Sequence, residues 1–358
     1  MSNFTRTIEL PLSPNYVRHW GVKEGVKELI QNAIDSISEF QYAFQGDTLV
    51  IGSPGVVLDA KTLILGTTTK ADDDSSIGSF GEGYKIALVV LLREGLNIKI
   101  RNGDVDWVPE FRHSDTYGAE VLCIDEFARD LPSYSLEFEI SGLGHSDTTD
   151  IYESCLLMQP PIEDAINTTR GRILPSHKGK LYVGGLFVCD TDLDYGYDML
   201  PQHIALERDR MTVGSWDLKT AVKEMWFSTQ QWDRIASMME EGVVDMSHAE
   251  YGCPELVKEA CYKLFTSKHK GAVAVSSQKE MEAVVAKGMT NTVYASRPYY
   301  SAVTSHSTYQ KEMGAKIRIA PPQEYLQAWA EQNQRMMSHP LRIAFKALIK
   351  EASKWSVK

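Results

Sequence analysis

The first regular run of apolar positions is Val22, Val26, Leu29, Ile30, Ala33 and Ile37, at three- and four-residue steps that predict a core-facing helix over residues 23–37. Glu28, Asn32 and Asp35 fall at i, i+4 and i+7 and share another face of that helix. Ahead of it, residues 5–10 read as a short strand followed by a Pro-marked turn. Behind it, residues 47–51 read as a strand closed by a tight loop at Gly52, Pro54 and Gly55, and 59–65 as a helical turn or two ending at Gly66. A polar stretch then runs into Gly78-Ser-Phe-Gly81-Glu-Gly83, after which residues 84–94 form an apolar helix stopped by Gly95. Strand-like segments follow at 96–101, 105–113, 119–124 and 135–140. Two helices over these strands predict a two-layer α/β sandwich, a sheet covered on one face.

The rest of the chain changes period twice. Residues 141–157 read as a loop and a helix, 171–190 as two strands around the turn Ser176-His-Lys-Gly179, and a helix starts near Asp217. From Lys263 the pattern becomes small αβ units: strand 271–275, helix 278–287, strand 291–295, helix 299–313, strand 316–320 and helix 323–337, most simply parallel strands with crossover helices. The last helix, 339–355, is expected to bury Leu341, Phe345, Leu348, Ala352 and Trp355, with Arg342, Lys346, Lys350 and Lys354 along its flank. This divides the chain into residues 1–145, a middle domain at 146–262 with a helical extension, and a basic α/β domain at 263–358.

At 358 residues, 43% hydrophobic and 24% charged, the composition is that of a globular protein. No run of eighteen apolar residues and no secretory N-terminus is found, so neither membrane span nor export is expected. Five scattered cysteines, without CxxC spacing, predict reduced thiols in a cytoplasmic protein and argue against a zinc site. The net charge of −11 is uneven: residues 258–358 hold 16 Lys and Arg against 7 Asp and Glu, a local +9, which leaves −20 on the rest. That basic end is a candidate surface for nucleic acid, an acidic protein or the acidic part of another copy; a solvated helix face is the plainer account of its stripe.

An acid, an amide and a second acid in one column can orient water, ligate a hard cation and accept a hydrogen bond, and Mg2+ needs few protein oxygens. Glycines spaced GxxGxG before a helix let backbone N–H groups approach phosphate. Each feature alone also fits a polar helix face or a hinge loop. Taken in order, the E-L-I-x-N-A-x-D helix, a Gly-containing loop, Leu-Gly-Thr-Thr-Thr-Lys and GxxGxG resemble the GHKL (Bergerat-fold) ATP-binding superfamily over about residues 15–140. The layout is closest to its heat-shock-ninety, MutL and MORC-like branch.

That resemblance implies slow hydrolysis of ATP with Mg2+, closure of a lid at 67–76, and a homodimer formed on ATP binding. It makes Glu28 the base for the attacking water, Asn32 the Mg2+ ligand and Asp35 a wall on the adenosine side. Thr69, Lys70 and the stretch Gly78, Phe80, Gly81, Glu82 and Gly83 would clasp the phosphates, with Lys85 a further candidate. The same resemblance makes 146–262 a transducer-like domain, whose basic residue reaching the γ-phosphate would be drawn from Lys178, Lys180, Arg208 and Arg210, with Lys180 preferred. Two departures stand out. Gly55 takes the second glycine of the family's Asp-x-Gly-x-Gly, which puts Ile51 where the adenine-reading Asp belongs and Ser53 at the first glycine. The supporting Gly-Thr appears as Gly118-Ala119. A nucleotide-sensing pseudo-ATPase scaffold and a MutL/MORC-like DNA-binding clamp are the alternative readings.

Overall fold

Alternation of apolar and charged residues, clearest at 97–102 and 135–141, marks the first sheet in the computed structural model, which describes residues 3–36, 40–59, 83–206, 213–314, 326–327, 329–330 and 337–352. Thr69, Lys70, Gly78, Phe80, Gly81 and Glu82, the 67–76 lid, Ile37, Arg208, Arg210, the strand expected at 316–320, Lys354 and Trp355 all lie outside the described residues. The fold is mixed α/β. The chain divides into two compact units, Met1–Gln231 with Val243–His248, and Trp232–Gly242 with Ala249–Lys358.

In the first unit the order is β1 (Phe4–Leu10), α1 (Val22–Asp35), β2 (Gln41–Gln45), β3 (Thr48–Pro54), α2 (Gly83–Arg93), β4 (Asn97–Asn102), β5 (Val105–Ser114), β6 (Ala119–Ala128) and β7 (Ser135–Ser141). The seven strands form one antiparallel sheet in the order β1-β6-β5-β4-β7-β3-β2. On one face Leu49, Ile51, Ile98, Ile100, Phe138 and Ile140 pack with Val26, Leu29 and Ile30 of α1 and Leu88 and Leu91 of α2 in a single core. Burying a side chain of this size contributes about 1.5–3 kcal/mol. The opposite face carries cross-strand ion pairs, Lys99 with Asp106 at 2.8 Å, Arg101 with Glu137 at 3.2 Å and with Glu139, and Arg112 with Asp125, and one pair within β5, Arg112 with Glu110. Such part-exposed pairs add little stability each, but they keep that face wet. β2 is a strand that the periodicity did not predict.

α3 (His145–Glu153) leads to a second sheet of β8 (Ile166–Thr168), β9 (Gly171–Leu174), β10 (Lys180–Val183), β11 (Leu186–Asp190) and β12 (Gly196–Met199), in the order β11-β10-β12-β9-β8. The two strands expected around residues 176–179 do form, as β9 and β10, but they do not pair. β12 lies between them, parallel to β10 and antiparallel to β9. Glycines allow this insertion. A side chain at Gly196 would overlap the His177 backbone, and one at Gly171 the Asp198 carbonyl.

Beyond it, α4 (Ser215–Ser228) is fastened to this sheet by a buried polar cluster. Asp245 is fully buried and accepts from the Asp194 N–H (2.7 Å), the Tyr195 N–H (3.3 Å) and the Tyr197 hydroxyl, which itself accepts from Trp226 Nε1 at 2.8 Å. Burial pushes the Asp245 carboxyl above its ordinary range even though these donors pull the other way.

In the second unit, α5 (Trp232–Glu241) and α6 (Glu255–Lys268) precede β13 (Val273–Val275), α7 (Gln278–Val285), β14 (Thr292–Tyr294), α8 (Arg297–Ser305), α9 (Ser307–Gly314) and α10 (His339–Ala352). β13 and β14 are parallel across α7, as the pattern predicts. The single helix expected over 299–313 is two, because His306 takes an extended conformation, ψ 131°, with Nε2 2.7 Å from Glu259 Oε2 and its ring stacked on Tyr262. The last helix also differs from expectation. Leu341 and Leu348 are 50% and 39% exposed rather than buried, Ile343 is exposed, and Ala352 is buried. Phe345 meets Trp329 at a ring separation of 5.0 Å. Arg342 leaves the basic stripe to donate from Nε to the Met337 carbonyl at 3.0 Å. No helix among the described residues is long and apolar enough to cross a membrane.

The Asp245 cluster generates a test. A raised folded-state carboxyl pKa means that the folded chain holds this proton more tightly than the unfolded chain. Stability from the group therefore falls as pH rises from the unfolded carboxylate range to the folded pKa, and is flat above it. Tyr197→Phe removes a donor to the carboxylate and the acceptor for Trp226. It is expected to lower unfolding free energy by about 1–3 kcal/mol at neutral pH, and by less in acid where Asp245 is protonated, as read by urea denaturation at the two pH values.

Candidate functional site

Glu28 and Asn32 stand one turn apart on α1, and the close approach of α2 decides what they meet. A buried face for α1–α2 packing requires small residues at the contact. At Gly25 a Cβ would already lie 3.0 Å from the Leu91 side chain. At Gly83, the first residue of α2, a Cβ would overlap Glu28 Oε2 and lie 3.1 Å from Asn32 Nδ2. The carboxylate of Glu28 therefore occupies the space that any other residue at 83 would fill. Glu28 itself is 3% exposed.

Asn32 is oriented by its own helix. Its Nδ2 donates to the Glu28 carbonyl at 2.7 Å, which fixes the amide so that Oδ1 points away from that carbonyl and is the end able to ligate a cation. Asp35, half-buried, ends the helix one turn further on. The arrangement supplies an acid able to take a proton, an amide oxygen for a hard cation, and a side-chain-free backbone position against both. Lys85 is fully buried, with Nζ 5.5 Å from the Tyr84 ring centroid. A regular helix places it about 200° around α2 from Gly83, so it does not share the Gly83 face.

Gly55 closes β3 at φ +76°, a conformation that favours glycine, and its N–H donates to the Tyr134 carbonyl at 3.0 Å. The segment after it is clamped by a residue that sequence reasoning missed. Buried Asn102 accepts from Leu58 N–H at 2.8 Å and donates to the Leu58 carbonyl at 2.9 Å. Ile51 and Ser53 alternate with Gly52 on the helix-facing side of β3, and both are buried. Ile51 has Phe138 of β7 opposite it on one side and Tyr42 of β2 on the other. Ala119 begins β6, on the far side of β5, β4 and β7, so it does not flank Ile51. The neighbours of the altered base anchor are two aromatic rings, not the Gly118-Ala119 pair.

Lys180 opens β10, with its ammonium 5.4 Å from the Phe187 ring centroid, and Lys23 of α1 reaches the same ring at 4.8 Å. These contacts put Lys180 beside the first turn of α1 and make no ion pair with Glu28. Lys178 is committed elsewhere, to Asp194 at 2.6 Å. Among the described residues no group of three or more His, Cys, Asp and Glu side chains could hold a metal, and the five cysteines form no disulfide.

No family model matches the chain. It is similar to an uncharacterised protein of Mycoplasma pneumoniae, 22% identical over 203 residues, which cover 53% of this chain and 82% of that protein.

The Gly83 contact gives a structural prediction that needs no assay of activity. Gly83→Ala should destabilise the protein by about 1–3 kcal/mol, because a buried carboxylate must move. In a Glu28→Ala background the same change should be neutral or stabilising, since alanine outranks glycine in a helix by about 1 kcal/mol. Equal effects of Gly83→Ala in the two backgrounds, measured by chemical denaturation, would mean that Glu28 does not lie against residue 83.

Proposed function

We propose that the chain is a GHKL-type ATPase that binds ATP with Mg2+ and turns it over slowly, as a conformational switch. The single observation that carries this reading is the meeting of Glu28 and Asn32 with Gly83. An acid and an amide drawn from one helix lie against the last glycine of GxxGxG, which a purely solvated helix face has no reason to do. A nucleoside triphosphate fits that chemistry: glycine backbone for phosphate, carboxylate for water, amide oxygen for the cation.

In this mechanism Glu28 orients the attacking water and accepts its proton. Its burial raises the strength of that hydrogen bond relative to one in open water. Asn32 Oδ1 would be the protein ligand for Mg2+, and the cation would supply charge neutralisation at the phosphate oxygens. Gly83 leaves room for both side chains. Phosphate transfer is chiefly positioning, so few further groups are needed. Closure of the 67–76 lid and dimerisation on ATP belong to the same proposal, with a macromolecular partner as client.

A second reading is favoured by Ile51 and Phe138. With two apolar side chains at the base-reading position, a nucleotide-sensing scaffold that does not discriminate adenine by a carboxylate is the competing account.

Purified protein with Mg-ATP separates the two by phosphate release. Turnover is expected for the parent protein and is abolished by chelation of Mg2+. Glu28→Ala should lower it by about 10²–10⁴-fold while nucleotide binding by calorimetry persists, and Asn32→Ala should weaken Mg2+-dependent binding. Unchanged turnover in Glu28→Ala removes the assignment; binding without turnover in the parent selects the scaffold.

A further inference from the structure

The seven-stranded sheet ends in two edges that are treated differently. The β1 edge is guarded by charge, with Arg6 and Glu9 along it and Arg6 bonded through Nε and Nη2 to Glu126. The β2 edge is Gln41-Tyr-Ala-Phe-Gln45, with no charge and no proline, and every residue of it except Phe44 is exposed. Natural sheets usually blunt a free edge with charge, proline or a bulge, because its unpaired backbone recruits another strand. β2 keeps none of these devices.

The backbone of β2 sets what can pair with it. The two-residue turn Gly46-Asp47, with Gly46 at φ +65°, makes Gln45 and Thr48 the closing pair of the β2–β3 hairpin. In such a hairpin the closing pair exchanges hydrogen bonds and pairs alternate from there. Gln41, Ala43 and Gln45 therefore direct their N–H and C=O groups to β3, and Tyr42 and Phe44 direct theirs outward. The sequence is nearly palindromic about Ala43. A second β2 laid antiparallel on a two-fold axis at Ala43 sets Tyr42 against Phe44 of the second copy and Gln41 against Gln45. The outward-facing residues then exchange both hydrogen bonds at each Tyr–Phe pair.

The side chains agree with that register. Tyr42 and Phe44 lie opposite Ile51 and Leu49, on the helix-facing side of the sheet, and Phe40 stacks on Tyr42 at 5.7 Å. Pairing would continue this aromatic row into the same row of the second copy, and aromatic cross-strand pairs are favourable. Gln against Gln and Ala against Ala introduce no repulsion.

We infer that β2 is the interface between two copies of this chain, joined edge to edge into one continuous sheet. The occupant is a second copy because the strand is its own complement in register, size and charge. Five residues a side bury less than the about 1,200–2,000 Å² typical of stable complexes, so the dimer is a weak, concentration-dependent one. This inference does not depend on the nucleotide reading, and its test is run without nucleotide.

Ala43 meets itself across the axis, where the Cα atoms of a non-hydrogen-bonded pair are about 4.5 Å apart, and its side chain is on the ion-paired face away from the core. Sedimentation velocity on the full chain over a concentration series should show a monomer–dimer equilibrium. Ala43→Lys and Ala43→Glu should each weaken it on the order of tenfold or more, since like charges meet across the interface, with unchanged circular dichroism and melting. Mixing the two variants should restore dimer, as Lys then faces Glu. A parent protein that stays monomeric throughout the series overturns the proposal. So does a dimer untouched by both substitutions, or a mixture that recovers nothing.

Discussion

The close approach of α1 to α2 is the constraint from which the site follows. Two glycines set it, one on each helix. Gly25 admits Leu91 and Val90 of α2, and Gly83 admits the carboxylate of Glu28. Core packing is dense and tolerates little adjustment, so the pair behaves as one fitted contact rather than as two helices that happen to be adjacent. Burying a carboxylate is costly unless its environment supplies positive charge or donors. Glu28 lies against Gly83, at the N-terminal end of α2, where a helix dipole favours an anion. Acid, amide and glycine are thus held together by the same packing that forms the core.

The phosphate end and the base end of the proposed pocket are separable. Glu28, Asn32 and Gly83 depend on the helix pair. Base reading in the family that the sequence resembles depends on a polar residue at the position of Ile51 and on its neighbour in the sheet. Sheet order sets Tyr42 of β2 on one side of Ile51 and Phe138 of β7 on the other. Ile51 and Phe138 are apolar and buried, so the helix-facing surface there has the character of core. A site that offers no hydrogen bond to a base loses discrimination between bases far more than it loses grip on phosphate.

Legibility in the sequence followed the strength of each local signal. α2 was legible as a short, almost wholly apolar run between glycines, none of it exposed; β4, β5 and β7 show the 2-residue alternation of strands with one face in the core, and α1 carries a 3.6-residue apolar stripe. The column Glu28, Asn32, Asp35 was visible for the same reason. β2 was missed because Gln-Tyr-Ala-Phe-Gln, at an edge, has no charged face to alternate against its aromatic one. The place of β12 between β9 and β10 was illegible, since it rests on close approaches at Gly171 and Gly196 that only tertiary packing reveals. Asn102 stands before a glycine and belongs to a hairpin, yet it is the last strand residue rather than a turn residue, which frees its amide to clamp Leu58. The exposed Leu341 and Leu348 mark the limit of periodicity. An amphipathic stripe predicts a buried face but does not supply the surface that covers it.

α1 is also the wall between the two sheets of the first unit. Leu186 of β11, with Cys155 and Met158 just ahead of the second sheet, belongs to the same core as Val26, Leu29 and Ile30. On the flank, the Phe187 ring is capped by Lys23 from α1 and Lys180 from β10. A cation over an aromatic face contributes about 0.5–1 kcal/mol when partly exposed, and two ammonium groups on one ring also repel each other. The contact is therefore a weak one laid over a strong apolar seam. Rotation of α1 large enough to move Glu28 must repack that seam, and the Lys–Phe–Lys contact is the part of it that yields at least cost. The helix that carries the candidate chemistry is, for this reason, the element through which the second sheet would register a change at Glu28 and Asn32.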